Sequence, residues 1–151
     1  MNDFLIMLRM IMSEEAYSST PYLDTNGVWT VGFGSTIMYT RSRQRVSAYT
    51  HNVSRDEAID NLYCGIAAAV KIAQTFVNNF ATLSSVRQCV LVMMAYQMGN
   101  GLLTFGNTKR LIESNQHDEV PAEMMNSKWA RIDSPNRAKR TTKIYKQDEW
   151  L

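Results

Sequence analysis

At 151 residues, with 45% hydrophobic and 20% charged side chains, the chain has enough apolar material for one well-buried core, or for two lobes sharing a helix. The balance excludes disorder, and the length excludes several independent domains. A net charge of +2 conceals a basic end: residues 127–151 carry seven Lys/Arg against three Asp/Glu, which suits an anionic partner or a solvated helix face.

The first twelve residues are apolar but interrupted by Arg9, and they lack a small-residue cleavage site, so they do not read as a secretory signal. They are also too short to span a bilayer. Phe4, Leu5, Leu8, Ile11 and Met12 follow helical spacing and predict an amphipathic helix over 3–15. No export route within the chain is expected. Ser18-Ser19-Thr20-Pro21 should break that helix, because proline disfavours helical backbone at the residue before it.

Strands are expected at 22–24, 28–32 and 35–39. Asn26-Gly27 is a strong signal for a two-residue hairpin with positive φ at both central positions, and Gly32 and Gly34 mark a tight bend. Residues 40–53, with Arg41, Arg43 and Arg45 on alternate positions, are polar and hold a short helix or only a loop. Ser54-Arg55-Asp56-Glu57 has the pattern of a capping box. It opens a long helix over 54–76 whose apolar face runs through Ala58, Ile59, Leu62, Tyr63, Ile66, Ala69, Val70, Ala73 and Val77.

Ser84 or Ser85 caps the next helix, which is apolar nearly all round (CVLVMMAYQM) and so belongs in a core, with Gly99 and Gly101 as its stop. Short helices follow, starting near Asn107 or Thr108, near His117 or Asp118 ahead of Pro121, and at Ser134 ahead of Pro135. The fold class is α+β, helix-dominant, with a single small antiparallel sheet confined to 22–39. Cys64 and Cys89 lie in apolar helical stretches without CxxC spacing. They are expected to be buried, reduced packing residues, with neither a metal site nor a disulfide framework, and no cofactor is expected.

Glu15, Asp24 and Thr30 are the candidates for carrying chemistry. Acetal cleavage needs a proton donor at the leaving oxygen and a second group that activates water or attacks the sugar carbon. Glu15, at a helix end, suits the donor. Asp24, beside the hairpin, suits the ionised partner, and the Thr30 hydroxyl can accept from and donate to a water held against it. On the residues alone, Glu14 and Glu15 read equally as solvated acids and Asp24 as an ordinary turn residue.

The spacing E-x8-D-x5-T, followed by VGFG, resembles the phage lysozyme (endolysin) family of the T-even phage type, glycoside hydrolase family 24. The similarity covers nearly the whole chain. It runs through Met7-Leu8-Arg9, the hairpin from Asp24 to Gly32, the helix start at Ser54–Ala58, Tyr96-Gln97-Met98-Gly99, Lys128-Trp129 and the specific run Pro135-Asn136-Arg137-Ala138-Lys139-Arg140. The resemblance implies one lysozyme-like domain over 1–151. Its small β lobe would span about 16–53 and its helical lobe 1–15 plus 54–151, joined by the long helix with a cleft between them.

By the same resemblance Glu15 is the general acid, and Asp24 and Thr30 position water for an inverting cleavage of the β-1,4 bond between N-acetylmuramic acid and N-acetylglucosamine. Arg137 is the arginine that pairs with the glutamate. Gln97, Asn107 and Tyr22 are substrate-binding positions, with packing or capping equally open for Gln97 and Asn107. The implied partner is bacterial peptidoglycan, with a holin giving access from the host cytoplasm to the cell wall. A monomer is expected, with neither stable membrane insertion nor a nucleic-acid partner.

Three departures from the family pattern stand out. Ala16 replaces the glycine after the glutamate, Ser35 replaces the histidine of GxGH, and the segment between Ser35 and Ser54 is short. Ala16 and Ser35 leave open a catalytically impaired wall-binding module of the same fold, and the short segment implies a trimmed small lobe. A virion-associated lysozyme and a lytic transglycosylase are the enzymatic alternatives.

Overall fold

A computed structural model describes residues 2–151; Met1, part of the expected domain, lies outside them. The chain divides into two compact units, Met1–Ala68 and Ala69–Leu151.

The first unit opens with α1 (Asp3–Glu15), capped by Asn2, whose side chain accepts from Phe4 N at 2.8 Å. Met7, Leu8 and Ile11 form its buried stripe, whereas Leu5 is 44% exposed and falls outside the expected face. β1 (Ser18–Leu23) starts four residues before the expected strand. It absorbs Pro21 at a register irregularity between Ser18 and Tyr22, where a missing N–H is tolerated. β1 pairs antiparallel with β2 (Trp29–Gly32), placing Tyr22 opposite Thr30 and Leu23 opposite Trp29.

The Asn26-Gly27 hairpin forms, but by a different turn. Gly27 alone has positive φ, and its N–H donates to Asp24 O at 3.0 Å. The connection is a turn on Thr25-Asn26 closed by a left-handed glycine, not the two-residue turn expected. Two consecutive positive φ values occur instead at Ser42 and Arg43, which no glycine announces.

The expected third strand is mostly something else. Ser35 only bridges Val31, and β3 (Ile37–Met38) pairs with β4 (Gln44–Arg45) in a separate ladder. A single 3-10 turn, Tyr39–Arg41, separates these two strands. The β structure is thus two short ladders reaching residue 45, beyond the expected limit of 39.

Helix α2 (Arg55–Phe76) begins in the first unit and ends in the second. Ser54 Oγ accepts from Glu57 N at 3.1 Å, which is half of the capping box. The reciprocal half is absent because the Glu57 carboxylate is taken by Arg41 and Thr40. Ala58, Leu62, Ile66, Ala69, Ala73 and Phe76 are buried along α2. Tyr63 is exposed and stacks on Phe4 with centroids 6.1 Å apart. Cys64 is exposed and Cys89 half-buried, which corrects the expectation that both are core residues. Cys64 lies off the buried stripe of α2.

In the second unit α3 (Ser85–Met98) is the central helix, with Val90 to Ala95 all buried. Ser84 caps it by accepting from Arg87 N, and Gly99, at φ 57°, ends it. α4 (Gly106–Glu113), α5 (Val120–Met125) and α6 (Pro135–Gln147) follow, with Pro121 and Pro135 in first turns as expected. A π-helical stretch, Trp129–Asp133, leads into α6. No single helix among the described residues is long and apolar enough to cross a membrane.

Candidate active site

Glu15 is the last residue of α1, and the chain turns off the helix axis immediately after it. Ala16 makes that turn at φ 54°, ψ 164°, its N–H closing the final helical turn on Met12 O. This region of backbone space is essentially reserved for glycine, and a side chain there costs about 1–3 kcal/mol. Replacing the family glycine by Ala16 therefore leaves local strain one bond from the proposed acid.

Opposite Glu15 lies the bend between β2 and β3. Gly34, at φ 70°, presents a bare Cα to the carboxylate. A Cβ at this position would fall 2.5 Å from Glu15 Oε2 and 2.8 Å from Cδ. The carboxyl group thus rests in space that only glycine leaves open. From sequence Gly34 read as a bend; its place under Glu15 depends on a contact no local pattern encodes.

Asp24 sits at the start of the hairpin turn. Its Oδ1 accepts from Asn26 N and Val28 N, each at 2.8 Å. The turn therefore fixes one carboxylate oxygen, and with it the direction of the other. Thr30 is buried, and its hydroxyl donates to Val28 O at 2.9 Å. With the proton committed to backbone, the oxygen lone pairs remain to accept from a water or hydroxyl.

Tyr22 links these groups. It faces Thr30 across the ladder, and its phenol is pushed above the ordinary tyrosine range by burial first, then by the charges of Glu15 and Asp24. One side chain therefore senses both carboxylates while standing opposite the hydroxyl.

Behind the site Ser35, where the family has histidine, is buried and accepts from Asn61 Nδ2 at 2.9 Å. The same nitrogen donates to Ile37 O, and Asn61 Oδ1 accepts from Thr40 N. An uncharged network fills this position, so no ionised side chain has to be desolvated there.

The remaining expected site residues lie in the second unit. Gln97 is held at both ends, its Oε1 accepting from Trp129 Nε1 at 2.9 Å and its Nε2 donating to Ser134 Oγ at 2.7 Å. That engagement gives it a packing role between α3, the π-helical stretch and the start of α6. Asn107 is exposed in the first turn of α4 and donates to Glu123 at 3.2 Å. Arg137 is half-buried in the first turn of α6. Among the described residues no three His, Cys, Asp or Glu side chains gather as metal ligands would.

Residues 12–142 match the family described as Phage lysozyme. A similar protein, "Probable T4-type lysozyme 1" from Dictyostelium discoideum, is 28% identical over 156 aligned positions, covering 89% of this chain and 90% of that one. The match spans the α1 terminus, the hairpin and the α6 run that carries Arg137. The chain belongs to the phage lysozyme family and is a peptidoglycan hydrolase of the lysozyme type.

Proposed function

We propose that the protein hydrolyses the β-1,4 bond between N-acetylmuramic acid and N-acetylglucosamine with inversion of the anomeric carbon, with Glu15 as general acid. Glu15 protonates the departing glycosidic oxygen while Asp24 takes a proton from water attacking the opposite face of the sugar. Thr30 accepts a hydrogen bond from the same water. Because its own proton is spent on Val28 O, it can only accept the water's second O–H, which leaves a water lone pair to point at the reacting carbon.

The observation that carries this reading is the Glu15 carboxylate seated against Gly34, with Asp24 and Thr30 fixed by the hairpin that follows it in the chain. An acid, a base and a hydroxyl that can hold water are what the reaction needs. The supporting role given to Arg137 rests on its position in the PNRAKR run. Tyr22 is the first candidate for sugar contact. Gln97 and Asn107 contribute less, since each already has a protein partner.

By family the setting we propose is lysis of a bacterial host at the end of phage infection. The monomeric enzyme would wait in the host cytoplasm until a holin opens the membrane to the wall. The test is Glu15→Gln, with peptidoglycan turbidity clearing as the readout. Clearing should be lost while circular dichroism and the melting temperature hold, and clearing at wild-type rate would overturn the assignment.

A further inference from the structure

Glu15 is held between two unusual backbone positions, Ala16 and Gly34, and the residue next to each of them enters a single aromatic knot. Tyr17 follows Ala16, and Phe33 precedes Gly34. Their rings lie 5.6 Å apart at 44°. The Arg55 guanidinium covers both, 5.3 Å from the Phe33 centroid and 5.9 Å from that of Tyr17. The Tyr17 hydroxyl donates to Val53 O at 2.6 Å, and Val53 N donates to Ser19 O at 2.8 Å.

We infer that the Tyr17–Phe33–Arg55 stack is the device that positions the Glu15 carboxyl group for proton transfer. The inference rests on Glu15 being the acid. Strained backbone persists only where the surroundings over-determine it. Ala16 makes no side-chain anchor of its own, so its conformation must be imposed from its neighbours. On one side is the end of α1; on the other is Tyr17, fixed by ring, hydroxyl and cation.

Phe33 is 2% exposed and ties the Gly34 bend into the same knot. Arg55 is the first residue of α2 and so fastens both segments to the longest helix of the chain. β2 is drawn against that helix as well, since a Cβ on Gly32 would stand 3.2 Å from Ala58 Cβ. The two segments flanking the carboxyl group are therefore both tied to the start of α2. Packing alone would be served by an aliphatic residue at position 55; a planar cation spanning two rings constrains their relative orientation as well.

The test compares Tyr17→Phe, Arg55→Lys and Arg55→Gln with wild type on solubilised peptidoglycan, recording kcat, KM and the pH–rate profile. Arg55→Gln should lower kcat roughly tenfold with KM unchanged, because misplacement of the acid weakens the reaction step and not substrate capture. The limb of the profile that depends on Glu15 should move. Arg55→Lys should recover part of the loss, and Tyr17→Phe, which keeps the ring, should show a smaller shift of the same limb.

Adding Ala16→Gly to Arg55→Gln should restore part of kcat, since glycine takes up the turn without being held in it. A kcat within twofold of wild type in Arg55→Gln, an unmoved limb, or no recovery with Ala16→Gly overturns the positioning role. Glu15→Gln is run alongside. Turnover by that variant overturns the acid assignment itself, whereas its inactivity beside an unmoved Arg55→Gln profile overturns the positioning role alone.

Discussion

The Glu15 carboxylate lies against the bare Cα of Gly34, so closely that a Cβ there would stand 2.5 Å from Oε2. Gly34 also has φ 70°, so alanine would meet backbone strain and a side-chain clash at once. Gly34→Ala should displace the carboxyl group and reduce turnover by about 100-fold, the scale expected when a catalytic group moves by about 1 Å. Steady-state rates on peptidoglycan, with the melting temperature recorded in parallel, check this. Retention of more than half the activity would contradict the contact.

Ala16 gives the opposite expectation. Its φ of 54° and ψ of 164° cost about 1–3 kcal/mol with a side chain present. Glycine returns about 0.5–1 kcal/mol of that through unfolded-state entropy. Ala16→Gly should therefore stabilise the protein by about 1 kcal/mol, raising the melting temperature by about 2–4 °C at this chain length. Differential scanning calorimetry decides it, and a lowered melting temperature would mean the turn is not strained.

Arg41 is the hub of the segment before α2. It pairs with both Glu57 oxygens and donates to the carbonyls of His51 and Asn52 at 2.9 and 3.0 Å. Arg41→Ala should cost about 2–3 kcal/mol, and Arg41→Lys should recover only part, because an ammonium cannot span this set. The Arg41 hydrogen bonds hold Glu57 below the usual glutamate range, helped by Thr40 and opposed by burial. The unfolded chain therefore takes up the proton first as pH falls. The stability from this pair is complete above about pH 4.5 and is lost as pH drops through the depressed folded value. Urea titrations across that acid range should show the decline in wild type and a flatter curve in Arg41→Ala.

His117 gives a second pH dependence, nearer neutrality. Its Nδ1 lies 2.7 Å from the hydroxyl of Tyr145, which is fully buried. Burial lowers the affinity of the His117 ring for a proton, as does Arg87, while Asp148 and Asp118 act the other way. With the folded value below 6.5, the unfolded chain again binds the proton first. The contribution is complete above about pH 6.5, shrinks as pH falls through that value, and levels off below the folded one. His117→Gln should flatten the stability profile in this window, and an identical slope in both proteins would contradict the reading.

Much of the fold was legible because its signals are local. Ser54, Ser84, Pro121 and Pro135 mark helix starts through groups one to three residues away, and each of these starts was found. The differences arise where distant groups compete for the same atom. Glu57 completes a capping box on paper but is claimed by Arg41, sixteen residues earlier. Ser134 stands at a helix start, yet its hydroxyl accepts from Gln97. Asn26-Gly27 invites a turn with two positive φ values, but two backbone N–H groups bound to Asp24 Oδ1 favour the wider one.

At the site the carboxylates and Thr30 stood out as candidates only through the family spacing, and the strained turn at Ala16 through its departure from glycine. Gly34 beneath Glu15, the Ser35–Asn61 pair and the Arg55 stack were not, because each joins segments about 20 residues apart or more in sequence without a periodic pattern.

The central claim, an inverting hydrolysis with Glu15 as acid, is tested most directly by digesting purified peptidoglycan and reading product mass and anomeric configuration together, before mutarotation. The account predicts a hydrolysed N-acetylmuramic acid reducing end, formed first as the α-anomer, and none of it from Glu15→Gln. Products carrying a 1,6-anhydro ring, or a β-anomer as the first product, would contradict it.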